Sequence, residues 1–290
     1  GVTYIRDAGA PKYIDVDLHA AQLKGEILAP EMQTACRCIC MTGGHGHDSG
    51  READGPDDCR RAAREQLKAG ANWIKVMATG GVMTKGVEPG SPQLTEEELR
   101  AAIEEAHKAG AKTFTHAQGM EGIKNALRAG VDSIEHGFFM DDWCFDFMKE
   151  HNVFFVPTLA APYWIKKYGT DAGIPDYMVK KVEKTIDAHQ DTFRRAHKAG
   201  VKIALGTDAG TPFNKYDMTG FECILMVENG MTPMEAIQCG TINAAELMDV
   251  KDTHGSITPG KCADIVFIDN EKDIRVTRVL IDGDVVAENG

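Results

Sequence analysis

The chain has no run of about 20 apolar residues, which excludes an ordinary transmembrane helix. It also lacks any Lys/Arg-rich stretch, and its formal net charge is −12. A nucleic-acid partner is therefore not expected, because binding to a phosphate backbone rests on a basic stripe. Its eight cysteines include no Cys-x-x-Cys pair, so the spacing of a redox motif or a zinc knuckle is missing. Cys36, Cys38 and Cys40 instead alternate as a strand would. They are expected to share one face as buried thiols in a reducing, cytoplasmic setting. No Gly-x-Gly-x-x-Gly follows the first apolar segment, which removes the signature of a dinucleotide fold. Position 1 is Gly rather than Met, and GVTYIRD (Gly1 to Asp7) already has the look of a strand with no signal peptide ahead of it. On this pattern the chain is expected to begin in mid-domain and to represent a fragment.

What is present describes a globular enzyme-sized unit. With 290 residues, 43% hydrophobic and 26% charged, the chain suits one large α/β domain with a small appendage. A phrase recurs along it: an amphipathic helical pattern ends in Ala-Gly, then a β-rich run follows and closes on a polar residue or Gly. The copies are Ala69-Gly70 with ANWIKVMATGG, Ala109-Gly110 with AKTFTHAQG, Ala129-Gly130 with VDSIEHG, and Ala199-Gly200 with VKIALGTDAG. A looser copy places His151-Asn152 before VFFVPTL. Gly or Asn just past a helix is a left-handed stop, since either tolerates positive φ. Thr95 with Glu98 spells a capping box at the start of the helix that runs to Lys108.

Alternating helices and short strands imply parallel pairing with right-handed crossovers. Adding GVTYIRD and MQTACRCICMT gives seven strands of barrel type. A doubly wound sheet also accommodates seven, but here polar residues stand at the ends of several different strands, as in a barrel. The expected fold is a (β/α)8 TIM-type barrel over residues 1–255 that lacks its first strand. Residues 256–290, with short strands and turns but no helix, form part of a small β-sandwich appendage.

Lys75, His116, His136 and Asp208 fall at or near strand ends and should meet at one mouth of the barrel. A lone strand His is usually a satisfied core residue, and a lone Asp near a turn is usually a cap. Together with a Lys, however, they form a set that is costly to bury unpaired and that suits a metal. An ammonium cannot be a ligand, so Lys75 acts either as a carbamate, formed by taking up carbon dioxide, or as a Schiff-base amine. The paired histidines favour the carbamate, because an aldolase has no use for them.

TGGHG (Thr42 to Gly46), WIKVMATGG, THAQG, DSIEHG, LGTDAGTPF and GSITPGKCADIV together resemble the amidohydrolase superfamily over nearly the whole chain. More closely, they resemble its imidazolonepropionase-like branch, which includes dipeptidases and carboxypeptidases acting on Xaa-Pro, Xaa-Arg or N-acyl amino acids. The resemblance implies a metal-dependent hydrolase that cleaves the amide bond of a small-molecule substrate through a metal-bridging hydroxide. It also implies two divalent metals, zinc first, with manganese, cobalt or iron as alternatives, and a homo-oligomer is expected. By resemblance Lys75 is the carboxylated bridging residue, His116 and His136 bind the more exposed metal, and Asp208 binds the buried one and handles the proton.

The family's first barrel strand carries a His-x-His pair that this chain does not show. His45-Gly46-His47 matches the TGGHG loop rather than that pair, so His45 is read as a contact for a substrate carboxylate. Tyr163 either binds substrate or forms an aromatic wall. Thr79-Gly80-Gly81 is either an anion cradle or a tight turn, and His107 and His197 are surface residues at helix ends. Two alternatives stand beside the hydrolase. One is a catalytically incomplete protein. The other is a mononuclear deaminase or cyclic-amide hydrolase, which is disfavoured because Met120 rather than Glu stands near the offset, three residues after the strand His, where such deaminases commonly carry Glu.

Overall fold

The computed structural model describes residues 1–269 and 275–288. It opens with β1 (Tyr4–Arg6), α1 (Ile14–Leu23), β2 (Glu31–Gln33), β3 (Ile39–Cys40) and β4 (Arg51–Glu52). A regular alternation then follows: α2 (Pro56–Ala69), β5 (Trp73–Met77), α3 (Glu96–Lys108), β6 (Lys112–Ala117), α4 (Met120–Ala129), β7 (Ser133–His136), α5 (Asp142–His151) and β8 (Phe154–Val156). Five helices come next: α6 (Ala160–Tyr168), α7 (Asp176–Ala199), α8 (Gly220–Glu228), α9 (Pro233–Cys239) and α10 (Ile242–Leu247). Three strands close the chain: β9 (Ile265–Asp269), β10 (Arg275–Ile281) and β11 (Asp284–Glu288).

The helix stops fall where the sequence puts them. Gly70, Gly110, Gly130, Asn152 and Gly200 all take positive φ, and each hands the chain to the strand that follows. At the other end of α3, the Thr95 side chain accepts from the Glu98 N–H while the Glu98 carboxylate accepts from the Thr95 N–H. That reciprocal cap is worth about 1 kcal/mol.

A parallel sheet runs β4-β3-β5-β6-β7-β8, and β1 pairs in parallel with β2. The segment after α7 joins β8 through a single parallel bridge between Phe155 and Ile203. Arg6 shows how far this surface curls. Its guanidinium donates to Ser133 and Glu135 on β7 and stacks over Trp73 of β5 and Phe114 of β6. A side chain on β1 meets β5, β6 and β7 together only across a closed interior. Outside the sheet, the small apolar faces of α2, α3 and α4 pack on it, with Ala62, Ala63, Ala102, Ala106 and Ala126 fully or almost fully buried. This is the barrel expected from the alternation of elements. Its last strand is reduced to one bridge, and β4 is an additional short strand in the loop after β3.

One expectation fails in detail. The run through Cys36, Cys38 and Cys40 is not one strand, because Cys36 sits at φ +59° and breaks the pleat between β2 and β3. Cys38 and Cys40 pack with Met77, whereas the Cys36 thiol points to the Gln66 carbonyl on α2. All three are buried free thiols, as expected, but on two different faces.

The closing strands form an antiparallel sheet in the order β11-β10-β9. Gly1 lies against Val266 and Val276, so the start of the chain is seated on this appendage. Among the described residues no helix is long and apolar enough to cross a membrane.

Candidate metal centre

Register brings the mouth together. Met77 pairs with His116, and Ala117 pairs with His136, so β5, β6 and β7 end at one level. The His116 and His136 rings lie 4.6 Å apart, and the His45 ring from the loop after β3 lies 4.1 Å from His116. Lys75 pairs with Phe114, two residues below His116, and therefore sits one layer deeper, with its Nζ 4.5 Å from the Phe114 ring centroid. Asp208 reaches the same cleft from the loop after Ile203. The cleft encloses about 380 Å³ counted out to its open mouth, and its walls include Val82, Met83, Phe138, Pro162, Ile165 and Val182.

The backbone is strained around this mouth. His136 (φ +71°), Thr158 (φ +54°) and Asp208 (φ +56°) all occupy the left-handed region. For a β-branched residue such as Thr158 that conformation is an outlier, and such strain collects where function requires a fixed geometry.

Both inner histidines are held in one tautomer. The Thr158 hydroxyl donates to the Pro157 carbonyl, so its oxygen accepts the N–H from His136 Nδ1 at 2.7 Å. That leaves the Nε2 lone pair of His136 free. His116 donates from Nε2 to the Gly80 carbonyl at 3.2 Å, which frees its Nδ1 lone pair. Burial, joined by the positive field of Lys75 and neighbouring imidazoles, holds both rings well below the ordinary histidine range. They are therefore neutral, and a neutral imidazole anchored through its other nitrogen is the form that binds a metal.

Lys75 is buried and takes part in no ion pair among the described residues. Burial pushes its ammonium down from the usual lysine range, although Glu135 and Asp208 act in the opposite direction. Asp208 remains open to the cleft while protein crowds it; that crowding raises its carboxyl, Lys75 lowers it, and Glu135 raises it. His45 is pushed down to about 4 by burial, with Lys75 and Lys181 adding to the effect. Its Nδ1 bonds the Thr84 hydroxyl at 2.8 Å.

The Thr79-Gly80-Gly81 turn serves the histidines. Its Gly80 carbonyl anchors His116, and a Cβ on Gly81 would lie 2.5 Å from the His45 ring. Tyr163 stands apart from the cleft lining and packs instead against Trp164 and Phe221, with ring centroids 5.0 and 4.9 Å away. It is an aromatic wall of the core. His107 and His197 pair with Asp132 and Glu235 at helix ends, far from the chemistry.

Thr158 was not singled out by sequence, and Gly80 was noted only as part of the Thr79-Gly80-Gly81 turn, since a backbone carbonyl carries no signal of its own. Buried His189 was missed as well; its Nε2 donates to the Pro157 carbonyl at 2.7 Å, and its ring packs at a tilt against Phe138. Replacing Thr158 by Val removes the acceptor that fixes His136, and should weaken metal binding about 10–100-fold. Thr158→Ser should stay near the parent, and competition with a chromophoric chelator reads both affinities.

The chain matches the Amidohydrolase family model over residues 1–286. It is 36% identical over 230 residues to an ochratoxinase of Aspergillus niger, covering 77% of this chain and 46% of that protein. It thus spans about half the length of that curated relative. A solved Xaa-Pro dipeptidase with bound methionine superimposes with a TM-score of 0.90 at 35% identity, covering 99% of this chain and 75% of the other. A prolidase complexed with N-methylphosphonate-L-proline gives a TM-score of 0.89 at 29% identity, with 99% and 76% covered.

Proposed function

We propose that this chain, which belongs to the amidohydrolase family, hydrolyses the amide bond of a dipeptide or an N-acyl amino acid with a divalent metal, zinc first. The observation that carries the proposal is the pair of buried, neutral histidines whose outward nitrogens are tied down and whose free lone pairs share the cleft with Asp208. A buried lysine whose charged form is disfavoured by burial lies directly below. These residues fit a metal: His116 and His136 would hold it, and Lys75 as a carbamate would turn a repelling amine into an oxygen ligand. These three would make one metal position nearly whole, and Asp208 would belong mainly to a second, which needs two histidines this chain does not show.

Bound there, a divalent ion supplies Lewis-acid polarisation of the scissile carbonyl and draws the pKa of water toward neutrality. Asp208, open to the cleft, takes the proton of the attacking water and returns it to the leaving amine. His45, neutral and oriented by Thr84, offers an N–H to the substrate carboxylate. The apolar walls around Phe138, Pro162 and Ile165 receive an apolar side chain or a proline ring and keep bulk water out. The ochratoxinase and the dipeptidase-type structures among the relatives support an amide-cleaving reaction.

The test is hydrolysis of a panel of Xaa-Pro dipeptides and N-acyl amino acids before and after removal of metal. Cleavage should vanish on chelation and return with added zinc. No cleavage of either class by metal-loaded protein overturns the proposal, and the metal stoichiometry of the active form separates one ion from two.

A further inference from the structure

A second cluster of metal-binding side chains lies at the opposite end of the barrel from the mouth. Glu31 is the first residue of β2, whereas the mouth is formed where strands end. His254 and Cys262 flank the turn between α10 and β9. Ligand atoms of Glu31, His254 and Cys262 all lie within 4.8 Å of one another, and among the described residues no other group of three or more His, Cys, Asp or Glu comes as close together. His254 Nε2 is 3.2 Å from a Glu31 oxygen and 3.8 Å from Asp264 Oδ2.

Asp264 supplies an independent sign. Its side chain is only 9% exposed, and its Oδ2 has no hydrogen-bond partner although it faces His254. A buried carboxylate oxygen left unbonded is expensive. The other Asp264 oxygen accepts the Asp282 N–H. Among the described residues the ion pairs of Glu31 and Asp264 run to His254 alone. Around the Cys262 thiol the charged neighbours are Asp282, Glu31 and Asp264, and burial together with these anions raises it above the usual thiol range. Negative charge therefore gathers around the thiol, while the Lys261 ammonium is turned to the Lys251 and His254 carbonyls.

We propose that Glu31, His254, Cys262 and Asp264 form a structural zinc site that clasps β2, the turn after α10 and the entry to β9. One nitrogen, one sulfur and two oxygens make a closed, four-ligand set. With zinc–ligand bonds of roughly 2.0–2.3 Å, ligand atoms of a tetrahedral site stand about 3.3–3.8 Å apart. The Glu31, His254 and Cys262 atoms need a contraction of up to about 1 Å to reach that spacing, and Asp264, now 3.8 Å from His254, must swing inward to complete the set. Its loop is already shaped: the Cys262 N–H bonds the Thr253 carbonyl at 2.9 Å, and the Lys261 ammonium bonds the His254 carbonyl at 3.0 Å. His254 Nδ1 is held by the Thr253 hydroxyl at 2.8 Å, which turns Nε2 inward. A metal here offsets most of the negative charge gathered at the site, and the zinc-bound thiol is a thiolate whatever its free tendency.

The test replaces zinc by cobalt in the full chain and follows the near-ultraviolet thiolate-to-cobalt charge-transfer band. The mouth proposed above contains no cysteine ligand, so this signal is independent of hydrolysis and of that proposal. The parent should show the band, saturating at one ion per chain. Cys262→Ser should lose it while keeping hydrolysis and the mouth's metal, and Asp264→Asn should keep it with at least about tenfold weaker binding. Absence of the band in the parent, or its persistence in Cys262→Ser, overturns the site. In that case His254 is simply a side chain packed between Glu31 and Asp264.

Discussion

Lys75→Ala is expected to leave the protein folded, to lower its metal content and to reduce turnover about 10²–10⁴-fold, the effect of losing several kcal/mol of metal-borne stabilisation. Lys75 lies one layer beneath the histidines, buried against Phe114, with Glu135 and Asp208 as the acids near enough to favour its charge. Burial outweighs them and lowers its proton affinity. An amine of that kind is free to add carbon dioxide, and the product is an anion with two oxygens where an ammonium would repel a cation. Two measurements follow, metal content and turnover of the variant, with a third to discriminate mechanism. Small carboxylates such as acetate should restore part of the activity, because they refill the space left by the side chain with the missing oxygens. A Schiff-base role predicts no such rescue. Unchanged metal content and turnover in Lys75→Ala would remove Lys75 from the centre altogether.

Most of this site could be read from the order of residues because its geometry follows from local rules. Each helix stop fixes where the next strand starts, so counting forward puts His116, His136 and Asp208 at the mouth. Gly110, Gly130 and Gly200 show this directly. The depth of Lys75 escaped that count, since it depends on register against Phe114 rather than on distance from Gly70. The anchors of the histidines escaped as well. Thr158 acts only because φ +54° turns its hydroxyl between Pro157 and His136, and Gly80 acts through a carbonyl that every residue possesses.

Other misses share a cause. Cys36 alternates with Cys38 and Cys40 on paper, but one left-handed residue reverses the face it presents. For Tyr163 two readings stand side by side, substrate contact or aromatic wall, and helix α6 packs it against Phe221. Glu222 is a comparable surprise on α8. Fully buried, it receives the N–H groups of Leu159 and Ala160, and burial raises it to about 8 against those two donors, with Asp208 raising it further. Its role is to fix the start of α6 behind the mouth. The Glu31, His254 and Cys262 cluster joins residues more than 220 positions apart, so no window of sequence displays it.

Arg6→Met should cost about 3–5 kcal/mol of stability, the usual consequence of leaving one member of a buried ion pair without its partner. Arg6 and Glu135 are 2.9 Å apart with side chains only 10% and 7% exposed, and Ser133 bonds both. Methionine keeps an apolar stem over Trp73 and Phe114, so the loss is chiefly the uncompensated charge of Glu135. Adding Glu135→Gln should recover much of the deficit, because a neutral amide beside Ser133 no longer demands a cation. Urea unfolding of the single and double variants reads the coupling, and a single-variant loss below about 1 kcal/mol would show that the pair carries little. The effect should also reach the mouth. Arg6 lowers the proton affinity of Lys75 while Glu135 raises it, so removing Arg6 alone leaves Lys75 more readily charged. Protonation competes with carbon dioxide for the same lone pair. Arg6→Met should therefore need more bicarbonate for full activity than the parent, and the double variant should need less than the single one. Equal bicarbonate dependence in all three would separate the barrel's internal ion pair from the chemistry above it.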